Sequence, residues 1–143
     1  MKFYALTTAT GGVEIMQVVP GAKVEECLAK RVPGHHAEIV SCREIDPKDI
    51  PQDRTFRDAW TPSLTVDMAK ARNIWRDRMR RARTPKLAAL DVEYQRADEA
   101  GDILKKRDVA ARKQALRDVT NDPRIDAAQT PEALKAVWPD VLG

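Results

Sequence analysis

The chain has 143 residues, 43% hydrophobic and 33% charged, with a formal net charge of +3. That length holds one domain or two small lobes, and no stretch approaches the ~18–20 apolar residues that a membrane-spanning helix needs. Two cysteines, Cys27 and Cys42, exclude a disulfide framework and point to a reducing compartment.

The charge is unevenly placed. Residues 1–62 carry eight Lys/Arg and nine Asp/Glu, residues 63–90 eight and two, and residues 91–143 nine and eleven. The basic excess is therefore local, and such a stretch attracts an acidic partner. The first residues lack the apolar core of a signal peptide, so the cytoplasm where the protein is made is the expected location.

In chain order, Lys2 to Thr8 is rich in strand formers and precedes the turn signal Gly11-Gly12. Val13 to Val19 reads as a second strand, closed by Pro20-Gly21. Together they predict a β-hairpin with a loop longer than two residues. Lys23 to Arg31 has helical spacing, with Val24, Cys27, Leu28 and Arg31 on one face, and Pro33-Gly34 stops it. His36 to Ile45 alternates as a third strand, followed by a loop at Asp46-Pro47 and Ile50-Pro51.

Residues 52–62 are expected to form a hinge. Phe56 and Trp60 are four apart, so one helical turn puts both rings on one side.

A helix capped by Ser63 or Thr65 is predicted to run to about Arg83, with Met68, Ala71, Trp75, Met79 and Ala82 as its core stripe. The opposite face carries Arg72, Arg76, Arg80 and Arg83. Thr84-Pro85 either starts a fresh helix or kinks one long one, since proline fits a first turn and disturbs an interior. Leu87, Leu90, Tyr94 and Ala97 continue the stripe to Gly101, a good terminator. Asp102 caps a returning helix to about Val119, with Leu104, Ala111, Ala115 and Leu116 available for packing. The short connection predicts an antiparallel helical hairpin. Asn121-Asp122-Pro123 ends it, and Thr130-Pro131 opens a last short helix carrying Leu134, Val137 and Trp138.

The fold class is thus α+β: a small β-hairpin/α/β lobe over 1–51, a hinge over 52–62, and a helical hairpin lobe over 63–143. No chemistry accompanies it. His35-His36 and Cys42 lack the spacing of a zinc motif. Asp46, Asp49, Asp53 and Asp58, interrupted by Pro47 and Pro51, match no calcium loop. No phosphate-binding glycine motif and no nucleophile elbow occurs. Neither catalysis, a metal nor a cofactor is expected. The candidate binding residues are Arg72, Arg76, Arg80 and Arg83, which can follow phosphates or carboxylates, and the aromatic pair Phe56 and Trp60. No nucleic-acid-binding motif supports the phosphate option, so nucleic acid is not the favoured partner. A second copy of the chain is another, because Ala-rich hairpins pair into four-helix bundles.

Five segments in series carry a family resemblance: Asp53 to Trp60, Val66 to Arg72, Lys86 to Tyr94, Lys113 to Asp118, and Thr130 to Pro139. Over about residues 50–142 the chain resembles small phage and prophage proteins of the tail and tail-fibre region, of the tail-fibre assembly or virion-associated type. The resemblance implies a phage tail or fibre protein as partner, with a role as assembly chaperone or minor virion component. It implies the host cytoplasm during assembly as the location, with the virion as a further one. The alternative is a phage-encoded inhibitor of a host defence or nucleic-acid machine that uses the Arg-bearing helix face.

Overall fold

A computed structural model describes residues 1–31, 34 and 36–143. The expected Pro33 stop and His35 of the His35-His36 pair lie outside the described residues. Three strands, β1 (Lys2–Thr8), β2 (Val13–Val18) and β3 (Ile39–Ile45), form an antiparallel sheet of order β2-β1-β3. Opposed residues of antiparallel strands share a face. The register pairs Phe3 with Ile45, and Ala5 with Ile15, and Thr7 with Val13. One face therefore gathers Phe3, Ala5, Val13, Ile15 and Ile45, and Ile50, Trp60, Leu64 and Val66 complete a core with them. The other face carries Leu6 and Val18, both buried, with Glu14 and Cys42. Helix α1 (Val24–Ala29) runs on this second side. Burial, and then its Glu25, raise the pKa of the Cys42 thiol, and Arg31 just beyond it donates to Glu14 at 2.6 Å.

The first unit closes with a tight turn. Thr61 N–H donates to the Thr65 carbonyl and Leu64 N–H to the Thr61 carbonyl, both at 2.8 Å, as Trp60 bridges Val66. Leu64 sits at φ 61°. A left-handed conformation costs an ordinary residue about 1–2 kcal/mol, and burial of the Leu64 side chain in the sheet core offsets it. Ser63 and Thr65 belong to this turn. The cap of the next helix is instead Asp67, whose Oδ1 accepts from Ala69 and Lys70 N–H at 3.0 and 3.2 Å.

The chain divides into two compact units, Met1–Ala71 and Arg72–Gly143. The boundary falls in the first turn of helix α2 (Met68–Glu99) and not in the 52–62 segment, which belongs to the first unit. The expected turn there is a short 3-10 turn, Arg57–Ala59.

Helix α2 is continuous through Pro85, so Thr84-Pro85 does not start a new helix. Pro85 has no N–H to give the Arg81 carbonyl. The helix ends in a Schellman arrangement: Asp102 N–H reaches the Ala97 carbonyl at 2.9 Å, Gly101 N–H the Asp98 carbonyl at 3.0 Å, and Gly101 adopts φ 67°. Asp102 then caps α3 (Ile103–Asp118), accepting from Lys105 N–H at 2.9 Å. The two helices meet through Leu90 and Ala97 of α2 and Val109 and Leu116 of α3, all buried.

This seam corrects the packing expected of α3. Leu116 is buried as expected and Val109 joins it, but Leu104, Ala111 and Ala115 are exposed. In a two-helix arm each helix has one covered stripe, and 104, 111 and 115 lie on the flank of it.

An unexpected helix, α4 (Pro123–Ala127), follows. Asp122 caps it by accepting from Arg124 N–H at 2.9 Å, with Pro123 in its first turn. The Asp-Pro pair therefore opens a helix besides ending one. Helix α5 (Pro131–Lys135) has Thr130 as its cap, accepting from Ala133 N–H at 3.1 Å. Ile125, Leu134, Val137 and Leu142 are buried. Trp75 N–H donates to the Val137 carbonyl at 2.7 Å, and its ring meets Trp138 edge-on at 5.5 Å.

Candidate functional site

The arginine stripe of α2 faces backbone more than solvent. Arg72 Nη2 donates to the Ala128 carbonyl at 2.7 Å. Arg76 Nε donates to the Thr120 carbonyl at 3.2 Å, and its Nη2 to Asp126 at 2.7 Å. Arg83 Nη1 reaches the carbonyls of Leu116 and Arg117 at 3.4 and 2.7 Å. The last four carbonyls of any helix lack an intrahelical partner and carry the negative end of its dipole. Leu116 and Arg117 stand in the last turn of α3, so Arg83 satisfies an intrinsic deficit there. Arg76 does the same for the turn beyond, and Arg72 for the end of α4. The planar guanidinium suits such forked donation. Arg80 pairs on its own helix with Asp77 at 2.5 Å.

The structure thus brings Arg72, Arg76 and Arg83 together as clamps on the C-terminal segment, with Arg80 outside that group. The stripe expected to oppose the core-facing one is itself half-covered. Phe56 and Trp60 are each only 2% exposed, and Trp60 is a member of the sheet core.

Along the hairpin, most remaining charges are paired in two rails beside the seam. On one side Glu93 accepts from Arg112 at 3.3 Å and lies 3.8 Å from Lys105, and Asp108 lies 3.9 Å from Arg112. On the other, Asp91 pairs with Lys113 and Asp98 with Lys106, both at 2.5 Å. Both lysines also lie over the Tyr94 ring at about 5.5 Å. The hydrogen bond that Lys106 donates to Asp98, and then the charge of Asp98, raise the pKa of Lys106.

What the hairpin leaves open includes large apolar side chains. Leu104 is 77% exposed, Ile103 64%, and Val92 49%. Between the helices on the Glu93 side runs a groove of about 350 Å³ with Ala89, Leu90, Ala115, Leu116 and Val141 in its lining. The sequence does carry a signal for Ile103 and Leu104. Adjacent helical positions point about 100° apart, so two neighbouring aliphatics after the Asp102 cap do not both face one seam.

Burial, and then Glu25, push the Cys42 thiol above its ordinary value, the reverse of an activated thiolate. Among the described residues no three His, Cys, Asp or Glu side chains group to hold a metal ion. No helix among them is long and apolar enough to cross a membrane. Comparison with known proteins finds no match to a family profile, to a curated sequence or to a solved structure.

Proposed function

We propose that the protein is a tail-associated interaction protein of a phage, an assembly chaperone or minor virion component, that binds a tail or fibre protein through its helical hairpin. The observation that carries the binding part is the exposed aliphatic side chains Val92 and Ile103 on an arm whose charges are mostly paired internally. Exposed apolar side chains rimmed by polar ones mark interaction surfaces. The phage part rests on the resemblance over residues 50–142. A basic face blocking a host machine is the weaker option, because Arg72, Arg76 and Arg83 are already engaged with backbone carbonyls.

The test is co-expression with a phage tail-fibre protein from the same genome, followed by affinity purification. A stoichiometric complex is expected, lost on Ile103→Asp with Val92→Asp and retained on Arg78→Glu with Arg81→Glu. No complex with the unaltered chain, together with normal particles after gene deletion, overturns the reading.

A further inference from the structure

We infer that the Glu93 side of the hairpin is a self-recognition surface, on which a second copy of this chain docks antiparallel to form a four-helix bundle. The inference stands apart from the phage reading and rests on three features of the second unit.

The first is spacing. On α2 the residues flanking the seam on this side are Ala89, Glu93, Arg96 and Ala100, and on α3 they are Leu104, Asp108, Ala111 and Ala115. Both runs are spaced four, three, four, the repeat with which one helix presents a stripe to another. All but Glu93 are exposed.

The second is chemical symmetry. Reversing the α2 run places small residue on small residue and base on acid: Ala89 meets Ala100, and Glu93 meets Arg96. Arg96 has no ion pair among the described residues, whereas Glu93 already gathers Arg112 and Lys105. A twofold axis across the helices, between positions 94 and 95, therefore makes the same ionic contact twice. Reversing the α3 run about 109–110 sets Leu104 on Ala115 and Asp108 on Ala111, beside Arg112. The pairs Asp91–Lys113 and Asp98–Lys106 put these two midpoints at the same level of the hairpin. One axis thus serves both helices, as closed twofold interfaces require.

The third is a knob and its hole. Leu104 is the most exposed of the large hydrophobic side chains. Under this axis it arrives at Ala115 of the second copy, in the wall of the groove formed with Ala89, Leu90, Leu116 and Val141. The alanines allow the close approach that lets a leucine fill it.

Sedimentation equilibrium of the purified chain over about 1–100 µM, the weaker end for interfaces of modest area, should show a monomer–dimer equilibrium. Leu104→Glu should weaken it about 100-fold or more, since it removes the apolar knob at both ends of a twofold interface. At concentrations where both chains are monomeric its melting curve should match that of the unaltered chain, because the side chain is exposed in the monomer. Arg96→Glu should weaken association about tenfold by setting acid against acid. Adding Glu93→Arg to that variant should restore association. For the register, an equal mixture of Ala89→Cys and Ala100→Cys chains, with Cys27 and Cys42 changed to Ser, should be joined by a short bismaleimide, and neither alone. A monomer at all concentrations overturns the inference. So does a dimer indifferent to Leu104→Glu and Arg96→Glu, which places the interface elsewhere.

Discussion

The first unit and the second reach stability by different routes. In the first, a three-stranded sheet lays Phe3, Ala5, Val13, Ile15 and Ile45 against Ile50, Trp60 and Leu64, and ion pairs are few. In the second, a two-helix arm buries only Leu90, Ala97, Val109 and Leu116 along its seam, then adds ion-pair rails and guanidinium clamps. A sheet offers a broad face to cover. Two helices offer one narrow stripe each, so the arm adds polar contacts, while Trp75, Met79, Ile125, Leu134 and Val137 are buried elsewhere in the same unit.

The tryptophans should break this comparison most visibly. Trp60→Ala and Trp75→Ala should each cost about 3–5 kcal/mol in denaturant unfolding. Phenylalanine should separate them. Among the described residues Trp60 Nε1 has no partner, so Trp60→Phe removes no hydrogen bond found there. Trp75→Phe strands the buried Val137 carbonyl and should cost about 1–3 kcal/mol more than Trp60→Phe. Equal costs would mean that the polar contact contributes nothing.

Next come the clamps. Arg83→Met should cost about 1–3 kcal/mol, the loss of charged hydrogen bonds to the end of α3. Arg81→Met, with no ion pair among the described residues, should stay within about 0.5 kcal/mol. A matched pair of values would reduce Arg83 to a surface charge.

Salt is a weaker probe. The rails are largely exposed, and such pairs contribute about 0–1 kcal/mol each and are screened. Raising the salt from low to about 1 M should therefore lower hairpin amide protection in hydrogen exchange slightly and leave the sheet unaffected.

The smallest effect is a pH dependence in the first unit. The hydrogen bond from Arg31 lowers the Glu14 pKa below its ordinary 4.5; burial opposes this, and the charges of Arg31, His36 and Arg57 add to it. A carboxyl with a lowered folded-state pKa contributes stability that is present above the unfolded value and lost as pH falls through the folded one. Acid titration below about pH 4.5 should thus loosen the unaltered chain more than Glu14→Gln. Parallel curves would remove Glu14 from the account.

Much of this was legible in the sequence, for local reasons. Asp102, Gly101 and Thr130 act within one turn of themselves, and the turn signal at Gly11-Gly12 separates two strands that pair directly. The clamps were not legible. Arg72, Arg76 and Arg83 find carbonyls more than thirty residues away, and a carbonyl has no letter in a sequence. Basic residues at helical spacing therefore looked like an open face. Periodicity also named Leu104, Ala111 and Ala115 as packing positions without saying whether the chain supplies anything to cover them. Asp122-Pro123 predicts an ending and hides a beginning, because the same two residues both stop one helix and start another.

The choice of arginine for the clamps has a consequence in alkali. Guanidinium groups keep their proton where ammonium groups lose theirs. The rails lean on lysines, and Lys106, its pKa raised by Asp98, contributes stability that disappears as pH climbs through that raised value. The arm between Gly101 and the groove should then fray first in strong base, while the segment held by Arg72, Arg76 and Arg83 stays fastened. The unit carries, in effect, a loosening sequence that runs from the tip of its hairpin toward the clamps.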